Sequence, residues 1–143
     1  VDLMHTRAAV EAALPLLETG GAITAISSIS GIEGYGFDGV SYGTMKAALF
    51  FYVKSLARHV AAKGIRANAV SPGTVLFPGG YWDKARQKDP AGFQENVDFN
   101  PMGRMGTPEE IANVVVFLSS PKAGFVSGTN VVVDGTATMR VQS

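Results

Sequence analysis

The chain has 143 residues, 46% of them hydrophobic, no cysteine, and 12 basic against 12 acidic side chains, for a net charge of zero. That length fits one domain, and that apolar content supports a core and excludes a disordered chain. A neutral balance leaves no basic field for nucleic acid or for an anionic membrane, and no apolar run approaches the roughly 20 residues of a membrane span. The absence of cysteine excludes disulfides and thiolate metal sites and agrees with a reducing cytoplasm.

Met4, Ala8, Ala12 and Leu16 recur every four residues, with Leu3, Ala13 and Leu17 widening the stripe. The spacing predicts an amphipathic helix from about Asp2 to Glu18, bent in its last turn by Pro15 and ended by Gly20-Gly21. Ala22 to Ser27 reads as a buried strand, followed to about Val40 by a flexible loop containing Gly31, Gly34, Gly36 and Gly39. A second helix runs from about Ser41 to Lys63, with Ala47, Ala48, Phe51, Ser55 and Leu56 on its apolar face and Gly64 as its stop. Ile65 to Ser71 is the next strand, broken by Pro72-Gly73. Phe77 to Pro101 is irregular with short helical pieces, and Trp82, next to Tyr81, fits either a core position or a substrate lid. Thr107-Pro108-Glu109-Glu110 is the clearest helix start: Thr107 as N-cap, Pro108 at N1 and Glu110 closing a capping box. That helix reaches Ser119, with Ile111, Val114, Val115 and Leu118 at core spacing, and Asn130 to Asp134 forms a last strand turned by Asp134-Gly135. Alternating strands and helices imply an α/β fold with a parallel sheet and right-handed crossovers.

Tyr42 and Lys46 are four residues apart on the second helix and so share a face; Ser28 ends the first strand. A free phenol, with a pKa of about 10, is a poor acid-base group near neutrality, and an adjacent ammonium favours its phenolate. A hydroxyl opposite can hold a carbonyl oxygen against the phenol while hydride joins or leaves the carbon. The Tyr-Lys spacing alone also occurs by chance on an exposed helix. His5 and His59 form no metal-ligand spacing with nearby carboxylates, and both suit helix surfaces.

Longer stretches resemble the short-chain dehydrogenase/reductase family. They are Ile26-Ser27-Ser28-Ile29-Ser30-Gly31, Ser41-Tyr42-Gly43-Thr44-Met45-Lys46-Ala47-Ala48-Leu49, Gly64-Ile65-Arg66-Ala67-Asn68-Ala69-Val70-Ser71-Pro72-Gly73, Gly103-Arg104-Met105-Gly106-Thr107-Pro108-Glu109-Glu110-Ile111-Ala112 and Ser127-Gly128-Thr129-Asn130-Val131-Val132-Val133-Asp134-Gly135. They stand in the family's order and cover nearly the whole chain. The resemblance implies the C-terminal part of a doubly wound, Rossmann-like parallel sheet, three strands of it visible, as a single partial domain over residues 1–143. It implies an NAD(P)-dependent oxidoreductase interconverting a secondary alcohol and a ketone. Tyr42 resembles the acid/base, Lys46 the residue that assists it and bonds the nicotinamide ribose, and Ser28 the carbonyl-orienting hydroxyl, with Ser27 and Ser30 as alternatives. Pro72, Gly73 and the backbone of Val75 resemble the loop that contacts the nicotinamide carboxamide, and residues 77–101 the region that covers the substrate. The partner expected is a small carbonyl or alcohol, in a homodimer or homotetramer.

The family's glycine-rich turn for the pyrophosphate has no counterpart here, nor does an acidic residue for the adenosine ribose. The expectation is therefore a piece of a longer enzyme, inactive alone, with the choice of NAD or NADP made by the part it lacks. Where the family has a relay Asn in the first helix, this chain has Asp2, which also suits a helix N-terminus. The alternative function is a non-catalytic oligomerisation or interaction module. A hydrolase using Ser28 lacks a triad context and a nucleophile elbow.

Overall fold

A computed structural model describes residues 2–141. Strands β1 (Ala22–Ile26), β2 (Arg66–Pro72) and β3 (Asn130–Val133) form one parallel sheet in the order β1-β2-β3. Ala22 pairs with Arg66 and Ile26 with Val70; Ala69 pairs with Asn130 and Pro72 with Val133. The helices are α1 (Asp2–Ala13), α2 (Val40–Val60), α3 (Tyr81–Lys88), α4 (Pro90–Asp98) and α5 (Pro108–Ser119).

The central strand is covered on both faces, which explains why six of its seven residues are buried. Ala67 and Ala69 point into a cluster with Val53, Leu56, Ala57 and Val60 of α2 and Val10 of α1. Alternate residues point the other way. There the buried Arg66 donates to the carbonyls of Leu118 (2.6 Å) and Ser120 (3.0 Å) at the end of α5, and Asn68 donates to Val126 (2.8 Å). A guanidinium is thus accommodated in the interior by backbone oxygens left over at a helix C-terminus.

Three sequence expectations need correcting. β1 is not a buried strand: it has a neighbour on one side only, Ala25 alone among its five residues is buried, and Ile26 is 46% exposed. Met4, Ala8, Ala12 and Leu16 lie at the surface; of the predicted stripe Leu17 packs on the core, together with Val10 and Leu14. On α2, Phe51 and Ser55 are exposed, Ala47 and Ala48 are half-buried, and the core face is Leu49, Val53, Leu56, Ala57 and Val60. Both helices carry two apolar stripes, and periodicity does not say which one meets the sheet. Pro15 acts as expected: α1 stops at Ala13 and a 3-10 turn, Leu14–Leu16, takes the place of its last turn. Gly64 closes α2 and its 3-10 extension in the left-handed conformation, at φ 69°.

The capping box on α5 forms as read. The Thr107 hydroxyl accepts from the Glu110 N–H (3.3 Å), and the Glu110 carboxylate accepts from the Thr107 N–H (2.9 Å). Arg104 donates to the same carboxylate at 2.8 Å. The Arg104 guanidinium first, then the Thr107 N–H, hold the Glu110 carboxyl down to about 2. Thr107→Ala is expected to lower stability by about 1 kcal/mol in urea unfolding. Because the folded carboxyl is depressed below its ordinary 4.5, its contribution is complete above that value and disappears as pH falls towards about 2. Glu110→Gln should therefore flatten the acid limb of the stability–pH curve across that window.

Candidate active site

The site begins where β1 stops. Ser27 is buried; its N–H donates to the Val70 carbonyl (2.7 Å), and its hydroxyl donates across to the Lys46 carbonyl on α2 (2.8 Å). Ser28 turns the chain out of the sheet and caps a 3-10 turn, Ile29–Gly31, its hydroxyl oxygen accepting from the Ser30 N–H (3.2 Å). Accepting that bond leaves the hydroxyl proton of Ser28 available to a ligand. Two glycines let this turn lie against α2. A Cβ on Gly31 would stand 2.7 Å from the Ala47 nitrogen, and one on Gly43 would stand 2.5 Å from the Ser30 carbonyl oxygen.

Tyr42 lies in the first turn of α2, half exposed, and Lys46 one turn further on. The Lys46 ammonium is 5.5 Å from the centre of the Tyr42 ring and donates to the Ile26 carbonyl at 3.2 Å. The end of β1 thus fixes the cation, and the cation lies against the phenol ring.

Opposite, β2 ends in Pro72-Gly73. The Gly73 N–H donates to the Val133 carbonyl (2.9 Å), and a Cβ on Gly73 would stand 2.9 Å from the Asp134 Cα, so the crossing of these strand ends admits no side chain. Val75 forms an isolated parallel bridge with Gly106, which donates to the Thr74 carbonyl and accepts from the Leu76 N–H, both at 2.9 Å. In that pattern the N–H and C=O of Val75 itself point away from Gly106.

Between these walls lies a cavity of about 890 Å³. Ser28, Ser30, Tyr42, Gly73 and Thr74 line one side, and Tyr81, Trp82, Phe93, Asn96 and Phe99 of the 77–101 segment line the other. Of the residues predicted from sequence, Ser28, Tyr42 and Gly73 meet on this cavity. Lys46 lies behind Tyr42, while Pro72 and Val75 flank the wall without lining it. Ser27 spends its hydroxyl on α2. Trp82 lines the cavity from α3 and is not a core residue. His5 and His59 are exposed on α1 and α2. The side chain of Asp2 lies outside the described residues.

Sequence reading missed four residues here. Tyr35, in the glycine-rich loop, meets Phe99 edge-on with ring centres 6.2 Å apart. Burial, then the charges of Glu33 and Asp134, push its phenol up to about 12. Asn100 is buried, donates to the Asp134 carbonyl (2.8 Å) and accepts from the Met102 N–H (2.9 Å), fastening the end of the 77–101 segment to the end of β3. The Asp134 carboxylate accepts from the N–H groups of Thr136 (3.0 Å) and Thr138 (2.8 Å). Glu33 accepts from the N–H groups of Met139 (3.0 Å) and Arg140 (2.9 Å), tying the chain after β3 to the loop that precedes Tyr42. An aromatic between two glycines, Gly34-Tyr35-Gly36, and the Asp134-Gly135 turn were the available signals; nothing local marks Glu33 or Asn100.

The family model described as enoyl-(acyl carrier protein) reductase matches residues 1–138. A solved short-chain dehydrogenase/reductase of Brucella melitensis, described as a glucose/ribitol dehydrogenase, superposes with a TM-score of 0.85 at 31% identity, over 97% of this chain and 54% of that one. The chain belongs to the short-chain dehydrogenase/reductase family. Isoepoxydon dehydrogenase of Aspergillus clavatus is 44% identical over 137 residues, 94% of this chain and 53% of that protein. An NADPH-bound short-chain oxidoreductase of Pseudomonas aeruginosa superposes with a TM-score of 0.82 at 28% identity, over 92% of this chain and 52% of that one. The chain thus spans about half the length of these members of the family. Its three parallel strands and flanking helices are a portion of their Rossmann-like sheet.

The approach of the Ser28 turn to α2 is the most demanding contact in the site. Gly43→Ala places a methyl against backbone, which has no rotamer to yield, and is expected to destabilise by about 1–3 kcal/mol. Thermal unfolding of the variant measures it; an unchanged midpoint would show that the turn stands off from the helix.

Proposed function

We propose that this chain is the catalytic and substrate-binding portion of an NAD(P)-dependent oxidoreductase that interconverts a secondary alcohol and a ketone. One observation carries the reading: Ser28 and Tyr42 line the same cavity, with the Lys46 ammonium fixed against the Tyr42 ring. In the reductive direction the Ser28 hydroxyl donates to the substrate oxygen and holds it beside Tyr42. Tyr42 gives its phenolic proton to that oxygen as the carbon is reduced, and takes it back in oxidation. Lys46 holds a positive charge against the Tyr42 ring as the proton leaves.

The residues present fit the nicotinamide end of a cofactor. Glycine is required at position 73 by the crossing with Asp134, the backbone of Val75 is turned away from Gly106, and Lys46 offers an ammonium on the opposite side. When bound there, the nicotinamide supplies or accepts the hydride. The adenosine end is assigned to sequence outside these 143 residues, in keeping with the half-length match to relatives. The whole enzyme is read as a cytoplasmic homodimer or homotetramer; exposed Met4 (62%) and Phe51 (79%) on α1 and α2 suit burial against another subunit.

In the complete enzyme, Tyr42→Phe should lower turnover by roughly 10²–10⁴-fold while cofactor affinity is kept, as followed by nicotinamide absorbance and fluorescence. Retained turnover would remove Tyr42 from its role. Lys46→Met should weaken both turnover and cofactor binding. The two neighbouring serines separate cleanly: Ser28→Ala is expected to reduce turnover, whereas Ser27→Ala is expected to lower stability by about 1 kcal/mol through loss of a buried hydrogen bond. Titration of the 143-residue chain alone with NADH and NADPH should give no saturable binding; saturation would place a complete nucleotide site within it.

A further inference from the structure

The cavity wall facing Ser28 and Tyr42 is more specific than the reaction requires. Trp82, Tyr81, Phe93, Phe99 and Tyr35 present five aromatic rings to one space. Two pairs are locked edge-to-face: Tyr81 with Trp82 at 5.1 Å between centres, and Tyr35 with Phe99 at 6.2 Å. Rings held this way offer flat apolar surface at little entropic cost. The charge inventory is equally restrictive. Among the described residues lining the cavity there is no lysine, arginine or histidine, and the one charged residue is Asp89. Its carboxylate accepts from the Gly92 N–H at 3.1 Å as the cap of α4, and it adds negative charge to the wall. Asn100, the most buried polar residue of the wall, spends its amide on Asp134 and Met102 and has little left to orient a charged ligand. A substrate bearing a carboxylate or phosphate would find no cation on this aromatic wall and would face Asp89 instead.

We infer that the substrate is an uncharged ring compound, a cyclic or aryl ketone or the corresponding alcohol, packed flat against the Trp82–Phe93 wall with its oxygen at Ser28 and Tyr42. The lining residues favour it over carboxylate- and phosphate-bearing substrates. This rests on the carbonyl chemistry proposed above. Trp82 is on this account a specificity-determining residue that binds the ring and takes no part in proton transfer.

The test is steady-state kinetics of the complete enzyme with acetophenone, its ring-matched acid para-acetylbenzoate, and the ring-free methyl hexyl ketone. Acetophenone should exceed both others in kcat/KM by about tenfold or more, about 1.4 kcal/mol. Trp82→Ala should lose that advantage mainly through KM for acetophenone, and Trp82→Phe, which keeps a ring, should restore most of it. Equal or better use of para-acetylbenzoate, or of the ring-free ketone, overturns the inference while leaving the carbonyl chemistry standing. An unchanged KM in Trp82→Ala overturns the assigned role of the wall. Turnover of none of the three by an enzyme that binds cofactor normally defeats the carbonyl chemistry and the inference together.

Discussion

Everything at the site depends on how closely the end of β1 lies against the start of α2. The Ser27 hydroxyl donates to the backbone carbonyl of Lys46, and the Lys46 ammonium returns a bond to the carbonyl of Ile26. These two bonds run in opposite directions between strand and helix, and they fix both spacing and rotation. Gly31 and Gly43 make the approach sterically possible. With that contact set, Ser28 and Tyr42 reach one cavity although neither is held there by a direct bond to the other. Two side chains positioned through their neighbours stay in place when the cavity is empty, which is the condition for preorganisation.

The second constraint is the crossing of β2 and β3 at Gly73 and Asp134. It carries the loop that faces Ser28 and Tyr42, and through Asn100 it also holds the end of the 77–101 segment. That segment is therefore attached at a framework point and not only through its own helices. Tyr81 packs on Trp82 and Phe99 on Tyr35, so the shape of the cavity is built into its wall.

How much of this the sequence discloses depends on how local the cause is. The capping box at Thr107 and Glu110 is written in four consecutive residues and formed as read, as did the break at Pro15 and the stop at Gly64. The two lid helices were visible only as short pieces between prolines and glycines. The nearness of Tyr42 and Lys46 is local as well, because a helix places residues four apart on one face whatever surrounds it. The orientation of α1 and α2 was not, since each carries a second apolar stripe and the choice is made by the sheet. Nor was the exposure of β1, which depends on how many strands flank it and not on its own residues. Tyr35, Asn100 and Glu33 acquire meaning only from partners elsewhere in the chain, with 34 residues between Asn100 and Asp134 and 107 between Glu33 and Arg140.

That last separation bears on how the site comes into being. The loop between Ser28 and Tyr42 is fastened by Glu33 to backbone groups at residues 139 and 140, more than a hundred positions away. Contacts of such high sequence separation form late, since the loop they close must first surrender its entropy. On the ribosome, where earlier segments emerge and fold first, the strand–helix contact at Ser27 can form long before this fastening is available. The loop beside the cavity stays unlatched until residues 139 and 140 have cleared the exit tunnel. Synthesis thus orders these two contacts: the partners of Ser27 come within reach first, and the partners of Glu33 later.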